Sequence, residues 1–457
     1  MDLVAQLKNV REFYNTGSTK KQAFRKQQLL NLKSILLKYE KEVYAALYQD
    51  LKKSPEECWV TEIGIVLSEI NHVLNNLDKW SSPQKVKTNL LNFPSSSFIL
   101  NEPMGVVLII SPWNYPLQLL LKPAIGAIAA GNCVVLKSSE YAPATTKLIK
   151  QMMNECFDKN YILFTEGEGA LVVPEMMNQF CFDYVFFTGS PIVGKLVYQM
   201  AASQLVPVTL ELGGKSPCVI EADADLKVAA KRVAVTKFSN AGQICVAPDY
   251  LLVHHSVKEK FIDILKSTLS QFFTDNAEKM DHYGKVINHR QFDRITQYLK
   301  DGKVIYGGRN NRENLFIEPT LMVDIDLNSA IMNEEIFGPI LPIISFHVQD
   351  EAIKIIEKHK NPLAFYVFTS SEENEKKWLE NIAFGGGCIN NACWHLTNPH
   401  LPFGGRGSSG IGQYQGKYSF DTFSHKKSIL KTPTWFDPSF KYPPFKGKLS
   451  LFKKFIR

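Results

Sequence analysis

One cysteine of this sequence lies in a short polar loop that suits a catalytic nucleophile. The loop 239–245 is rich in small and polar residues and ends at Cys245. A cysteine reacts as its thiolate, and a polar, partly accessible loop favours a low thiol pKa. A lone cysteine is more often a small buried apolar residue. We give that interpretation to Cys133, Cys181 and Cys218, which lie within or beside apolar runs, and we take Cys245 as the candidate nucleophile.

Two more polar residues could act on the same chemistry. Glu211 follows the apolar run Val206–Leu210 and precedes two glycines. It is either a solvated charge at a strand end or a general base that faces the same crevice as Cys245. Asn114 lies between two aromatic residues, as a turn residue or as an amide donor to a developing oxyanion.

A glycine-containing turn offers a place for a phosphate. The segment Gly189–Lys195 matches the opening GxxxxGK of a P-loop, but the next residue is Leu196. The hydroxyl that would hold magnesium is therefore missing, and the segment is not a GxGxxG motif either. A glycine turn that leads into a helix exposes free N–H groups, so we interpret it as a phosphate-binding turn rather than a bare structural one.

The elements that must position these residues alternate between strand and helix. The longest apolar stretch, Val106–Leu136, is interrupted by prolines, Asn114 and Lys122, so no window of about 20 apolar residues could span a membrane. It divides into a strand Val106–Ile110, a helix Leu117–Ala130 and a strand Cys133–Leu136, which is a βαβ unit. The next predicted strands are Tyr161–Thr165, Tyr184–Phe187 and Val206–Leu210, and the helices between them are Ala144–Cys156, Glu168–Met177 and Pro191–Gln204.

The remaining segments complete a doubly wound α/β pattern. Apolar residues recur at helical spacing through Gln28–Leu51 and Val60–Leu77. Residues 81–101 leave this pattern as a predicted hairpin, and Ser424–Lys431 is a predicted final strand. A second alternating series includes the helices Ala229–Phe238, Lys258–Phe272 and Asp350–His359 and the strand Tyr250–His254.

Polar or glycine-rich residues follow four of the predicted strands. Ligands of open α/β sheets bind beyond the carboxyl ends of parallel strands, so these segments predict one shared crevice. The four segments are Ser111–Asn114, Lys137–Glu140, Thr188–Ser190 and Glu211–Gly214.

Composition narrows the class of protein. The chain has 457 residues, which favours two or three domains, and its charged fraction of 21% is ordinary for a globular protein. A dispersed net charge of +7 suits anionic cofactors but does not argue for nucleic acid. Eight cysteines without a CxxC pair indicate free thiols rather than a disulfide framework or a metal site. With no apolar segment at the N-terminus, we expect a cytoplasmic enzyme.

The motifs resemble those of the aldehyde dehydrogenase superfamily over nearly the whole chain, from about Lys21 to Ser428. The matching segments are Ser-Pro-Trp-Asn-Tyr-Pro (111–116), Lys-Ser-Ser-Glu (137–140), Phe-Thr-Gly-Ser (187–190), Leu-Glu-Leu-Gly-Gly-Lys-Ser-Pro (210–217), Asn-Ala-Gly-Gln-Ile-Cys (240–245), Glu-Glu-Ile-Phe-Gly-Pro (334–339) and Leu-Pro-Phe-Gly-Gly (401–405). The chain is most similar to the shorter class 3 branch, which includes fatty-aldehyde enzymes. Cys245 is followed by Val-Ala-Pro-Asp-Tyr where many tetrameric members have a nearby arginine, and Ser138 stands where a proline is common.

The resemblance implies a fold of two doubly wound parallel-sheet domains with a small β element. We expect residues 1–80 and 102–210 to form the cofactor-binding domain and residues 211–420 the catalytic domain. Residues 81–101 and 421–432 would bridge or dimerise the chain as a homodimer, and residues 433–457 would form a C-terminal tail. The tail spaces Leu449, Phe452 and Ile456 between basic residues, so it is either a packed or solvated tail or a short helix at an anionic membrane surface.

The resemblance also implies the reaction and the site residues. Cys245 would attack an aldehyde, Asn114 would stabilise the oxyanion, and Glu211 would activate water to release a carboxylic acid. The cofactor is expected to be NAD, with NADP possible because Lys137 could pair with a 2′-phosphate. The implied cofactor contacts are Gly189, Ser190 and Gly194 at the pyrophosphate, Lys137 and Glu140 at the adenosine ribose, Glu335 and Phe337 at the nicotinamide ribose, and Trp113 lining the site.

Two other functions stay open at this point. A CoA-acylating or hydrolytic cysteine acyl-transfer enzyme would use the same thioester with another acceptor. A binding protein on this fold would need none of the three reactive residues. The physiological aldehyde cannot be read from the sequence, although Tyr115, Trp394, His395 and Phe403 could line an apolar tunnel for a medium-chain, long-chain, aromatic or terpenoid substrate.

Overall fold

The computed structural model describes residues 2–273 and 277–455. Strands and helices alternate along most of the chain, as the pattern predicts. The α-helices are Leu3–Asn15, Gln22–Lys38, Glu40–Leu51, Pro55–Cys58, Gly64–Ser81, Gln118–Ala130, Pro143–Cys156, Gly169–Gln179, Pro191–Ala202, Leu226–Phe238, Lys258–Phe273, His289–Gln297, Ala330–Asn333, Gln349–Glu357, Glu372–Asn381, Lys417–Thr422 and Leu449–Phe455.

A six-stranded sheet carries the first set of strand ends. Its order is Gly410–Ile411, Val208–Leu212, Tyr184–Gly189, Val106–Ile110, Cys133–Lys137 and Ile162–Thr165. All neighbours are parallel except Gly410–Ile411, which pairs antiparallel with Val208–Leu212. The order reverses between Val106–Ile110 and Tyr184–Gly189, and such a switch point opens a crevice at the carboxyl ends of the strands.

The second large sheet has seven strands. Its order is Lys303–Tyr306, Thr320–Val323, Ile340–Phe346, Tyr250–His254, Pro217–Ile220, Ala364–Phe368 and Gly386–Ile389. Only the pairing of Lys303–Tyr306 with Thr320–Val323 is antiparallel. The central strands are apolar runs buried on both faces, as parallel strands between helices must be. The expected fold of two doubly wound sheets is thereby confirmed.

A small antiparallel sheet stands apart from both. Gln84–Val86 pairs with Ser96–Pro103, which confirms the predicted hairpin, and Ser96–Pro103 pairs along its full length with Ser424–Lys431. The last strand consists of exposed and partly exposed residues. Its outer edge has no neighbouring strand within the described residues, and an unpaired edge is a template for pairing with another chain.

The N-terminal helices differ from the sequence-based expectation in two places. The helical pattern Gln28–Leu51 is divided at Tyr39 into two helices. The pattern that starts at Val60 begins with a π-helical turn, Trp59–Ile63, before the α-helix Gly64–Ser81. Hydrophobic periodicity predicts which residues are buried, but it does not locate a change in helix direction.

The C-terminal tail contains a 3₁₀ turn, Ser439–Lys441, and a short α-helix, Leu449–Phe455. Ile456 and Arg457 of the expected amphipathic segment lie outside the described residues. Over the described ranges, the helices are all too short or too polar to cross a membrane.

Candidate active site

The loop that carries Cys245 has an unusual backbone. Three consecutive residues before it, Asn240, Ala241 and Gly242, have φ angles of 50°, 51° and 74°. Left-handed conformations are costly for residues with a Cβ and persist where surrounding contacts enforce them. A Cβ on Gly242 would collide with the carbonyl oxygen of Gly338. The Cys245 loop is therefore packed directly against the segment that carries Glu335 and Phe337.

Gln243 fixes this loop from inside. Its side chain is fully buried, and its Nε2 donates to the carbonyl oxygens of Asn240 at 2.9 Å and Lys285 at 3.0 Å. Its Oε1 accepts from the N–H of Ile287 at 2.9 Å. The buried amide thus satisfies three backbone groups. The sequence analysis did not single out Gln243. Its position two residues before the candidate cysteine, in an otherwise small-residue loop, was the available sign that its side chain could stabilise the loop.

Asn114 lies beside the same loop and is buried. Its Nδ2 donates to the carbonyl oxygen of Gln243 at 3.0 Å. Its own carbonyl oxygen accepts from Asn240 Nδ2 at 2.9 Å. A side-chain amide has two N–H donors, and the bond to Gln243 occupies one donor of Asn114. Asn114 itself is not among the residues that line the cavity beside Cys245.

A buried ion pair that the sequence did not reveal supports Asn114 from the other side. Lys53 Nζ lies 2.9 Å from Glu62 Oε1, and both side chains have zero solvent exposure. The same ammonium donates to the carbonyl oxygen of Asn114 at 3.0 Å and lies 3.8 Å from the centre of the Tyr115 ring. Glu62 Oε2 accepts from the N–H of Gln118 at 2.8 Å. Nothing in helical periodicity predicts that these two charges are buried together.

Glu211 lies in the strand Val208–Leu212 with its carboxylate buried. Neither carboxylate oxygen has a hydrogen-bond partner among the residues that the structure describes. Burial raises the pKa of Glu211 well above its usual range, because removal of water disfavours the charged form. The interpretation as a solvated strand-end charge is therefore wrong, and the carboxylate is poised to take up a proton.

Cys245 and Glu211 line one apolar cavity of about 240 Å³. Tyr115, Trp394 and Phe403 line it as expected from the sequence, and Cys393 joins them. His395 is not among the lining residues; its ring stacks behind Phe403, with 5.9 Å between ring centres. The other lining residues are Val60, Thr61, Ile65, Gln118, Leu119, Thr188, Leu212, Val235, Thr236, Ser239, Ile244, Val246, Leu363, Leu396, Thr397, Tyr414 and Gln415.

The electrostatics of Cys245 differ from the sequence-based expectation. The side chain is partly exposed, but burial raises the pKa of the thiol, and the charges of Glu335 and Glu211 raise it further. The polar composition of the loop favours a low pKa, but it does not reveal the burial of the thiol or the two carboxylates, which belong to segments distant in the sequence. At neutral pH Cys245 is accordingly a thiol.

Lys137 and Glu140 lie together at the carboxyl end of the strand Cys133–Lys137. Lys137 Nζ is 3.3 Å from Glu140 Oε2, and Glu140 Oε1 accepts from the N–H of Gly169 at 3.1 Å. Burial acts to raise the pKa of Glu140, but backbone hydrogen bonds and the charge of Lys137 outweigh it and lower the pKa. Ser138, the departure from proline, bonds through its hydroxyl to Thr146 at 2.7 Å. The hydroxyl of Ser138 thus has a partner at this corner, and Glu140 carries an ionised carboxylate.

The glycine turn leads into a helix as expected. Ser190 caps the helix Pro191–Ala202, its hydroxyl accepting from the N–H of Val193 at 3.4 Å. A Cβ on Gly194 would lie 2.5 Å from Leu212 Cδ2, and one on Gly189 would lie 2.6 Å from Phe187 Cζ. A side chain at either position would therefore require Leu212 or Phe187 to move. The exposed apolar residues at this helix start, Ile192, Val193 and Leu196, form a surface that sequence reasoning missed.

Glu335 closes the site from the second sheet. A Cβ on Gly213 would collide with its carboxylate, and the N–H of Gly214 donates to it. Burial, reinforced by the charge of Asp249, raises the pKa of Glu335 to about 8. The buried pair of Lys215 and Asp249 holds its segment in place.

Lys215 Nζ donates to the carbonyl oxygen of Glu334 at 2.8 Å, and Asp249 Oδ1 accepts from the N–H of Ile336 at 3.0 Å. Next along the segment, Phe337 meets Trp113 edge to face, with ring centres 5.4 Å apart. Trp113 and Phe337, both predicted cofactor contacts, thus lie side by side. Within the described ranges, no group of three or more His, Cys, Asp or Glu side chains could hold a metal ion.

Comparison with known proteins decides the family. Residues 4–429 match the aldehyde dehydrogenase family. The chain belongs to this family. It is 46% identical over 447 residues to a 4,4′-diaponeurosporen-aldehyde dehydrogenase of Staphylococcus aureus, covering 97% of each protein. It is also 42% identical over 440 residues to human aldehyde dehydrogenase family 3 member B1, covering 96% of this chain and 94% of that protein.

A solved relative shares the whole fold. The substrate-bound structure of AldH from Staphylococcus aureus superimposes with a TM-score of 0.97 at 45% identity, covering 100% of both chains. The class 3-like branch expected from the motifs is consistent with these relatives, and the protein is an aldehyde dehydrogenase, an oxidoreductase that acts on the aldehyde group.

Proposed function

We propose that this aldehyde dehydrogenase oxidises apolar aldehydes to carboxylic acids through a thioester on Cys245. The observation that carries the proposal is that Cys245 and the unpartnered carboxylate of Glu211 line the same apolar cavity. A nucleophile and a base of raised pKa that line one cavity are the two groups that thioester formation and hydrolysis require.

The first step is addition of sulfur to the carbonyl carbon. The thiol of Cys245 gives its proton to solvent water, its sulfur bonds to the aldehyde carbon, and the carbonyl oxygen becomes an alkoxide. The free N–H of Asn114 and the backbone N–H of Cys245 donate to this oxygen. Fixed donors of this kind are worth about 10²–10³ in rate each.

The second step removes hydride from the same carbon. A nicotinamide cofactor supplies the hydride acceptor when it is bound. Of this chain's residues, Gly189, Ser190 and Gly194 would lie along its phosphates at the start of the helix Pro191–Ala202. The ionised Glu140 would accept from a ribose hydroxyl, Glu335 would hold the second ribose, and Trp113 and Phe337 would pack beside it. An ionised Glu140 favours a free 2′-hydroxyl over a 2′-phosphate, so we propose NAD as the preferred cofactor and NADP as a weaker one.

The third step is hydrolysis. Glu211 takes a proton from water, the resulting hydroxide bonds to the thioester carbon, and the thiolate of Cys245 leaves. General bases of this kind contribute about 10²–10⁴ in rate. The same carboxylate argues for water rather than coenzyme A as the acyl acceptor, because a thiol acceptor needs no base of this strength. A CoA-acylating activity is the second candidate.

The cavity walls support an apolar substrate. Their side chains are predominantly aliphatic and aromatic, and burial of apolar surface contributes about 25 cal/mol per Å². We propose medium-chain, long-chain, aromatic or terpenoid aldehydes, a range that includes the aldehyde for which the staphylococcal relative is named.

An unpaired strand edge and the free cysteines support proposals for the oligomeric state and the compartment of the enzyme. We propose a homodimer assembled through Ser424–Lys431, whose outer edge offers backbone groups to a second chain. In this assembly, residues 81–101 and 421–432 would form the bridging element. The cofactor-binding domain would comprise residues 1–80 and 102–210, and the catalytic domain residues 211–420. A free nucleophilic thiol suits a reducing compartment, so we place the protein in the cytoplasm. The tail 433–457 is proposed to be packed or solvated.

The proposal is tested by following NADH formation from NAD and a medium-chain aldehyde. Steady turnover is expected from the wild type and none from Cys245→Ala. Glu211→Gln is expected to give a single burst of NADH, because it forms the thioester but cannot hydrolyse it. A wild type that produces no NADH or NADPH from a panel of aldehydes would refute the proposal. Light scattering that gives the mass of one chain would refute the dimer.

A further inference from the structure

We propose that a second cavity next to the substrate cavity binds an oxygen atom at the far end of the aldehyde, with Lys122 as the hydrogen-bond donor. The inference rests on the proposed function and adds a substrate class: aldehydes with an apolar chain that ends in a hydroxyl or a second carbonyl group. Nothing in the thioester chemistry requires a cation at this place.

The second cavity adjoins the first. It has a volume of about 290 Å³. The two cavities share four lining residues, Val60, Ile65, Thr397 and Gln415. A chain whose aldehyde carbon meets Cys245 would pass these four side chains to reach the second cavity.

Two helices lead along this path. In the helix Gln118–Ala130, Gln118 lines the first cavity and Lys122 the second. In the helix Gly64–Ser81, Ile65 lines both cavities and Glu69 the second. Residues four apart lie on the same face of a helix. One face of each helix therefore contributes a residue to the first cavity and, one turn later, a charged residue to the second.

Lys122 is a buried cation without a fixed partner. Its relative exposure is 3%, and its ammonium makes no hydrogen bond or ion pair within the described part of the chain. The ring of Tyr414 lies 6.0 Å from Nζ, and burial lowers the pKa of Lys122. Its helix is otherwise buried and almost entirely apolar. An unpaired buried charge is costly, and a ligand oxygen in the cavity would offset that cost.

Glu69 determines whether the second cavity favours a neutral or a charged ligand oxygen. It is buried, and its Oε1 accepts from the N–H of Gly416 at 2.7 Å. Its charge acts on Lys122 without an ion pair between them in the described residues. The two charges offset each other, so the cavity attracts a neutral oxygen better than a carboxylate. A hydroxyl can accept from Lys122 and donate to Glu69, and a carbonyl can accept from Lys122.

The test compares matched aldehydes of equal chain length that end in a methyl group, a hydroxyl group or a carboxylate. For the wild type we expect kcat/KM to be higher for the ω-hydroxy aldehyde than for the methyl-ended one by about 10-fold or more, the range of a hydrogen bond to a charged group. The carboxylate-ended aldehyde should gain less than the hydroxyl-ended one.

The variants test the role of Lys122. Lys122→Met should bring the hydroxyl-to-methyl ratio of kcat/KM towards one, whereas Lys122→Gln, which keeps an N–H donor, should retain part of this ratio. Lys147→Met, an exposed lysine on another helix, is the matched control and should keep the full ratio.

The outcomes separate the two proposals. A wild type that oxidises methyl-ended aldehydes with no preference for the hydroxyl would overturn the subsite and leave the proposed function intact. The same holds if the preference is equal in wild type and Lys122→Met. A preference for the carboxylate would overturn the neutral-oxygen class. If no aldehyde is oxidised at all, the proposed function itself fails. Should Lys122→Met not fold, the wild-type comparison and Lys122→Gln still decide the matter.

Discussion

Lys53 and Glu62 form an ion pair with zero solvent exposure, 2.9 Å between Nζ and Oε1, directly behind the backbone of Asn114. The pair connects the end of one N-terminal helix, the π-helical turn Trp59–Ile63 and the start of the helix Gln118–Ala130. Because Lys53 also donates to the Asn114 carbonyl, it positions the amide that we assign to the oxyanion. The site therefore depends on two charges that touch neither substrate nor cofactor in the proposed mechanism.

Removal of Lys53 should destabilise the protein more than removal of both charges. Lys53→Met leaves Glu62 buried without a partner, which typically costs about 3–5 kcal/mol. The double variant Lys53→Met with Glu62→Leu should cost less, because no uncompensated charge is left. Denaturant unfolding measures both, with exposed Lys41→Met as the control. Equal losses in the single and double variants would contradict this account.

Replacement of Asn114 should slow thioester formation while aldehyde binding changes little. Asn114→Ala removes the proposed oxyanion donor, so we expect kcat to fall by about 10²–10³. The variant also loses the bond to the Gln243 carbonyl, so a melting temperature is needed beside the kinetics. A stable variant with a wild-type burst rate would remove Asn114 from the chemistry.

The pH dependence of deacylation should follow Glu211. Burial raises the pKa of Glu211, and only the ionised carboxylate can take a proton from water. Hydrolysis of the acyl-enzyme should thus accelerate as pH rises through a pKa above 4.5, the ordinary value, and slow as pH falls below it. Single-turnover release of acid over about pH 5–9 measures this. In Glu211→Gln this rising limb should vanish, and a persisting limb would assign it to another group.

Glu140 should set the choice between the two cofactors. Glu140→Gln removes the charge that we propose to bind the 2′-hydroxyl, so KM for NAD should rise by about 10-fold, the size of one charge-assisted hydrogen bond. KM for NADP should fall or stay constant, because the repulsion of a 2′-phosphate is removed while Lys137 is retained. Initial rates with both cofactors give the ratio. Parallel changes in the two KM values would refute this role.

Several structural elements follow directly from local sequence. The strands Val106–Ile110, Tyr250–His254 and Ser424–Lys431 have the predicted bounds, because each is a short run bounded by turn residues or a helix start. The four polar strand ends also follow, since parallel strands place their carboxyl ends on one edge. Cys245 and Glu211 were chosen for their local settings, a polar loop and a strand end before two glycines.

The tertiary structure alone decided the electrostatic state of those residues. Burial raises the pKa of the Cys245 thiol, and the charges of Glu335 and Glu211 raise it further. Glu211 lies in a strand of the first sheet and Glu335 in the loop before the strand Ile340–Phe346, so the raised thiol pKa depends on contacts between segments about 35 to 125 residues apart. The burial of Lys53 with Glu62, and of Lys122 near Glu69, has the same origin. Helical spacing predicts on which face of a helix a residue lies. Only the packing between helices decides whether that face contacts water, another charge or a cavity. The sequence by itself therefore determined the family and the fold and predicted the candidate reactive residues, whereas protonation and the shape of the proposed substrate path arise from long-range burial, because both depend on what displaces water around each group.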